Sequence, residues 1–166
     1  DQDRYNLVFA PHVMLSERRW VVTVDPPAIA RVKAPEGRVR ACARIHVDLG
    51  SPASSDMSYS NRADLYLGDA SSQVYEFLRD PRPCLFLNSH GVSWQNDPSR
   101  LHWQAGPVVS DPAGLLDAID HAFASHADFV PRQQSLVDDT FSLAPESSAR
   151  RVARAISRFL ANGRCA

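Results

Sequence analysis

The sequence predicts an α/β sandwich built on a mostly parallel sheet. Three observations carry that reading: short apolar runs of strand length, helical apolar spacings between them, and polar clusters placed where the runs end. Length and composition agree with it. The 166 residues suffice for a single domain, 1–166, with a real core, and 44% apolar with 22% charged residues is ordinary for a globular chain.

YNLVF at 5–9 is the first strand, stopped by Pro11. Residues 14–35 suit helix or strand, and Pro26-Pro27 breaks either. RIHVDL at 44–49 is a second strand, ended by Gly50, Ser51 and Pro52. Its His46 should face opposite to Ile45 and Val47, so one face of this strand is polar or specialised. ADLYLG at 63–68 is a third strand. Val74, Phe77 and Leu78 then place one apolar helical face over 72–79 against a sheet. CLFLN at 84–88 is a fourth strand and GPVVS at 106–110 a fifth.

Asp111-Pro112 opens a helix carrying Leu115, Leu116, Ile119, Ala122 and Phe123 at helical offsets. A last helix over 146–161 should turn Val152, Ala153, Ile156, Phe159 and Leu160 inward and stop at Asn162-Gly163. Arg150, Arg151, Arg154 and Arg158 then form a solvated face.

Several function classes are disfavoured. A net charge of −1 gives no electrostatic case for nucleic acid, and Lys33 as the only lysine reads as a compositional bias. Cys42, Cys84 and Cys165 are too few and too scattered for a disulfide framework or a zinc site, so no metal is expected. No run of 18 apolar residues suggests a membrane span. HExxH, GxSxG and P-loop patterns are missing. The chain starts without Met, with charged residues directly before an apolar run, and reads as a piece of something longer.

In parallel sheets ligands collect beyond the carboxyl ends of the strands. That rule selects the candidates. Gly68 lets the chain turn, Asp69 organises the turn, and Ser71 and Ser72 open the following helix, where free amides and hydroxyls suit phosphate oxygens. Neither serine has an acidic residue three positions on, so no capping box occupies those amides. Glu76 lies one turn into that helix and suits a sugar hydroxyl or an ion pair with Arg79. His12 comes directly after the first strand and His90 directly after the fourth, both placed for phosphate or proton work. His102, His121 and His126 have no such placement. Trp20, Trp94 and Trp103 suit core anchors or cleft walls.

YNLVFAPH followed by ADLYLGDASSQVYEFL and PRPCLFLN resembles the C-terminal half of the CDP-glycerol glycerophosphotransferase-like enzymes of teichoic-acid and capsule synthesis. These have the GT-B fold and are distantly similar to UDP-GlcNAc 2-epimerases. The resemblance implies a Rossmann-like three-layer sandwich forming one half of a GT-B fold. The family's motif histidine falls on His12, its aspartate on Asp69, its serine pair on Ser71 and Ser72, and its acidic residue on Glu76. The final strand motif falls on Pro83-Cys84-Leu85-Phe86. Two departures, Ala10-Pro11-His12-Val13 for the first motif and Ala70 for a tyrosine, leave the donor open between CDP-glycerol, a sugar nucleotide and another nucleotide-linked polyol.

The resemblance implies a transferase moving a glycosyl or glycerophosphoryl group to an acceptor hydroxyl, without metal or cofactor. Ser71 and Ser72 would bind the diphosphate, Glu76 would orient a donor hydroxyl, and His12 would stabilise or protonate the leaving group; His90 joins the phosphate-binding candidates from its place after the fourth strand. The acceptor site and general base would lie in an N-terminal domain of the same polypeptide, leaving this piece inactive alone. The resemblance also implies a cytoplasmic location, with membrane association only through regions outside this chain or through the acceptor. The alternatives are a nucleotide-sugar 2-epimerase or hydrolase, and a binding or scaffold module without chemistry.

Overall fold

The computed structural model describes residues 4–11, 20–24, 27–31, 39, 41–69 and 71–162. The protein is mixed α/β and divides into two compact units, Asp1–Tyr66 and Leu67–Ala166, with the boundary inside a strand. The expected single sheet is replaced by three small ones among the described residues.

In the first unit, β1 (Leu7–Phe9) pairs in parallel with β4 (Ile45–Val47), in the register Leu7–Ile45, Val8–His46 and Phe9–Val47. The ladder extends at both ends, Leu7 N–H donating to the Arg44 carbonyl (2.9 Å) and Asp48 N–H to the Phe9 carbonyl (3.0 Å). The ambiguous stretch contains an antiparallel pair, β2 (Trp20–Val24) with β3 (Pro27–Arg31). Two intervening residues are enough for a hairpin and far too few for a parallel crossover, which is why this pair departs from the parallel expectation. Pro27 is tolerated because it is the first residue of its strand.

The second unit holds the apolar core. β5 (Tyr66–Gly68), β6 (Cys84–Leu87) and β7 (Val108–Val109) form a three-stranded sheet in that order, with β6 and β7 parallel. The helix α1 (Gln73–Leu78) buries Val74, Phe77 and Leu78, the three residues its spacing singled out. Arg82 closes its carboxyl end, donating to the Phe77 carbonyl (2.9 Å) with its guanidinium 3.9 Å from the Phe77 ring centre. Cys84, Leu85 and Phe86 are buried on β6. Gly106 is obligatory beside them, since a Cβ there would lie 2.2 Å from the Cys84 carbonyl oxygen.

A 3-10 segment, Pro98–Ala105, brings Trp103 and Ala105 into this core. A short turn capped by Asp111 leads into α2 (Leu115–Ala124), which buries Ala122. Sequence periodicity did not reveal α3 (His126–Thr140), because Pro131 and a run of polar residues interrupt the pattern. Tertiary contacts compensate. Gln133 is fully buried and its amide donates to the Arg82 carbonyl (3.0 Å) and the Ala105 carbonyl (2.8 Å), pinning α3 to the segments flanking β6.

The last helix, α4 (Ser148–Asn162), forms where expected, but its apolar stripe does not turn inward. Val152, Ile156, Phe159 and Leu160 are 45–73% exposed. Helical spacing fixes which side of a helix is apolar, not whether anything covers it. No described helix is long and apolar enough to cross a membrane.

Candidate functional site

The turn that leaves β5 is held by two ring N–H groups from the 3-10 segment. Trp103 Nε1 donates to the Asp69 carbonyl at 2.6 Å, and His102 Nε2 lies 3.0 Å from the same oxygen. A carbonyl oxygen only accepts, so His102 carries its proton on Nε2. Burial pushes the His102 imidazole below its ordinary value, and the bond to Asp69 opposes that shift. Sequence reasoning gave His102 no role. Its neighbour in sequence, Trp103, was the only signal that this stretch enters the core.

The loop after β6 is braced by Asn88. This buried amide donates to the Val92 carbonyl (3.0 Å) and accepts from the Val92 N–H (2.9 Å), which leaves Ser89, His90 and Gly91 projecting. The loops following β5 and β6 therefore line one cavity of about 60 Å³, bounded by Asp69, Asn88, Ser89, His90, Arg100 and Trp103 among others. Arg100 is held in place by Asp97 (3.6 Å) and by the Trp103 ring, 4.6 Å from its guanidinium carbon. The cavity thus offers the His90 ring and the Arg100 guanidinium, with the Ser89 hydroxyl beside them. Arg100 was not singled out in the sequence, since it sits in a polar loop that only folding brings beside β6.

Of the sequence candidates, Asp69 and His90 meet at this cavity, and Gly68 ends β5 directly before it. Ser71, Ser72 and Glu76 lie on the opening turns of α1 and are not among its lining residues. The amides of that turn are also less available than the missing capping box suggested. Ser71 Oγ accepts from Gln73 N–H (3.2 Å), and the Val74 and Tyr75 N–H groups donate to the Ser71 and Ser72 carbonyls (3.3 and 3.2 Å). His12 lies outside the described residues.

The first unit contains a second polar cluster. Asp48, its buried carboxylate, accepts from Gly50 N–H (2.9 Å), Ser51 N–H (2.8 Å), the Ser51 hydroxyl and the Tyr59 hydroxyl (2.7 Å). These bonds, the Ser51 hydroxyl foremost, hold its carboxyl well below the usual carboxylate range. Tyr59 in turn lies 3.0 Å from His46 Nε2. His46 and Asp48 stand two residues apart at the end of β4, so strand alternation puts both on the face that Tyr59 bridges. The signal for this cluster was present as His-x-Asp before a Gly-Ser turn.

No protein-family profile, curated protein or solved structure matches the chain.

Proposed function

We propose that the chain is the donor-binding half of a GT-B-type transferase, and that the cavity after β5 and β6 receives one phosphoryl group of a nucleotide-diphosphate donor. The observation supporting this reading is that two strand exits converge on one cavity together with Arg100 and His90. Its volume is well below the roughly 300–1,000 Å³ of a pocket that encloses a small molecule, so the nucleoside and the transferred glycosyl or glycerophosphoryl group extend beyond it. The Asp69 carbonyl is already engaged by two ring nitrogens, which turns the strand exit into a fixed wall instead of a repelling dipole.

In this reading Arg100 and His90 offset the charge that develops on the leaving diphosphate. The Ser71 and Ser72 hydroxyls and Glu76 contact the donor outside the cavity. The acceptor is a hydroxyl of a bacterial surface polysaccharide. Calorimetric titration of the chain with CDP-glycerol and with UDP-, GDP- and dTDP-linked sugars tests the assignment. Arg100→Ala should weaken binding at least about tenfold, the loss expected for a charged hydrogen bond, with His90→Ala next. Tight binding that neither substitution changes would sink the donor assignment.

A further inference from the structure

We infer that α4 is a docking helix that lies flat on an anionic lipid bilayer, with its apolar stripe in the acyl boundary and its arginines among the lipid phosphates.

Apolar area and charge are sorted onto opposite sides of this helix. At about 100° per residue, Val152, Ala153, Ile156, Phe159 and Leu160 fall within an arc of about 120°. Arg150, Arg151, Arg154 and Arg158 fall within about 100° on the other side. The helix holds these four cations and no Asp or Glu, in a chain whose net charge is −1. The other two long helices differ: α2 carries Asp117 and Asp120, and α3 carries Asp128, Asp138 and Asp139.

Nothing among the described residues covers the stripe, and every residue from Val152 to Ala161 is exposed. The side-chain ties that α4 makes beyond itself reach back only to the segment just before it. Arg151 donates to the Ser142 hydroxyl (2.7 Å) and carbonyl, and Arg154 pairs with Glu146. From Ala155 to Ala161 no side chain has a polar partner among the described residues. An isolated helix of about 15 residues is marginal in water and draws most of its stability from covering its apolar face. The sequence therefore pairs a strong apolar stripe with a tertiary fold that leaves it open.

The placement of the arginines selects what covers it. An amphipathic helix at a bilayer surface sinks its apolar face about 5–10 Å, and headgroup phosphates then surround its flanks. Arg150 and Arg151, on the two sides of the stripe, reach those phosphates by extending along the helix surface. A protein groove closed over the stripe would leave the arginines turned away from it, their charge unused. A second copy would bring two equally cationic helices together. Four large apolar side chains also fall short of the roughly 800 Å² per partner of a stable protein interface. The 15 residues of α4 reach about 22 Å against a hydrocarbon core of about 30 Å, so the helix lies on the bilayer and does not cross it. The family resemblance put membrane association outside this chain, whereas α4 supplies it within.

Flotation of the chain with vesicles of phosphatidylcholine alone, and of an equal mixture with phosphatidylglycerol, tests the proposal. Binding to the mixed vesicles should be at least about tenfold stronger and should weaken as salt screens the surface. Arg150→Gln with Arg158→Gln should lower it by about fivefold for each Arg removed. Ile156→Gln with Phe159→Gln should lower it at least about tenfold, the worth of burying one large apolar side chain. All four positions are exposed, so the β5–β6–β7 core stays intact in both variants, which its unchanged hydrogen-exchange protection verifies. The amides of residues 152–160 should gain protection when mixed vesicles are added. Equal flotation with both vesicle types overturns the proposal, as does flotation with neither, or flotation that both variants retain. Self-association in sedimentation velocity that Phe159→Gln abolishes, with the vesicles left unbound, assigns the stripe to a second copy and overturns it too. Donor calorimetry reads the cavity after β5 and β6, so the transferase reading and the docking helix can each fail while the other stands.

Discussion

The two units bury opposite kinds of group. Among the described residues every buried apolar side chain, from Val74 to Val137, belongs to Leu67–Ala166. Among those of Asp1–Tyr66 the one buried side chain is the Asp48 carboxylate, while Leu7, Val8, Phe9, Trp20, Val22 and Ile29 are 42–72% exposed. One unit is held by apolar area removed from water. The other is organised locally around a carboxylate that collects four hydrogen bonds. Each such bond contributes only about 1 kcal/mol net, so the second arrangement orders a loop more effectively than it stabilises a unit.

The sharpest way to break the comparison is Gly106→Ala. Its Cβ would collide with the Cys84 carbonyl, and the second unit should lose about 3 kcal/mol by chemical denaturation. If stability is unchanged, the tight contact between that strand entry and β6 is wrong. Gln133→Leu comes next. It removes the Gln133 amide from the Arg82 and Ala105 carbonyls and should cost about 2 kcal/mol, with the amides of α3 losing protection in hydrogen exchange. Trp103→Phe removes one of two donors to the Asp69 carbonyl and should cost about 1 kcal/mol.

Acid should separate the units. Burial lowers the His102 imidazole from 6.5, so below that pH the unfolded chain takes up a proton that the folded second unit resists. Its stability should therefore fall as pH drops through 6.5, and His102→Gln should remove that dependence. Asp48 behaves differently. Its carboxyl is lowered from 3.8, so the stability it supplies is complete above that value and declines only as pH falls below it. Chemical denaturation followed through amide signals of each unit along a pH series should show the second unit losing stability first. The smallest effect is on reactivity. Burial pushes the Cys84 thiol up to about 12, so it should resist alkylation at pH 8 until the protein is denatured, while half-buried Cys42 reacts in the native state. Peptide mass mapping after iodoacetamide treatment distinguishes them.

The candidate cavity was half legible in the sequence. Asp69 and His90 stand just beyond apolar runs, and chain direction alone puts strand exits at one end of a parallel sheet. Arg100 was not legible, since its place depends on the 3-10 segment folding back over β6. The His46–Tyr59–Asp48 cluster shows the same division: alternation aligns His46 with Asp48, but Tyr59 reaches them only through a turn carrying an unusual Met57 backbone. The serine-rich turn shows the reverse. Its composition suggested open amides, and the fold occupies three of them with Ser71 Oγ and the Ser71 and Ser72 carbonyls.

By itself the sequence determined the local elements whose signal is periodic and short-ranged: β1, β4, β5, β6, α1, α2 and α4, with their apolar faces. Only the tertiary structure decided which strands pair, that α3 persists across Pro131, that the α4 stripe is exposed, and which polar groups meet. Periodicity is a property of neighbouring residues along one chain axis. Pairing, burial and convergence depend on contacts between residues far apart in sequence, which propensity does not encode.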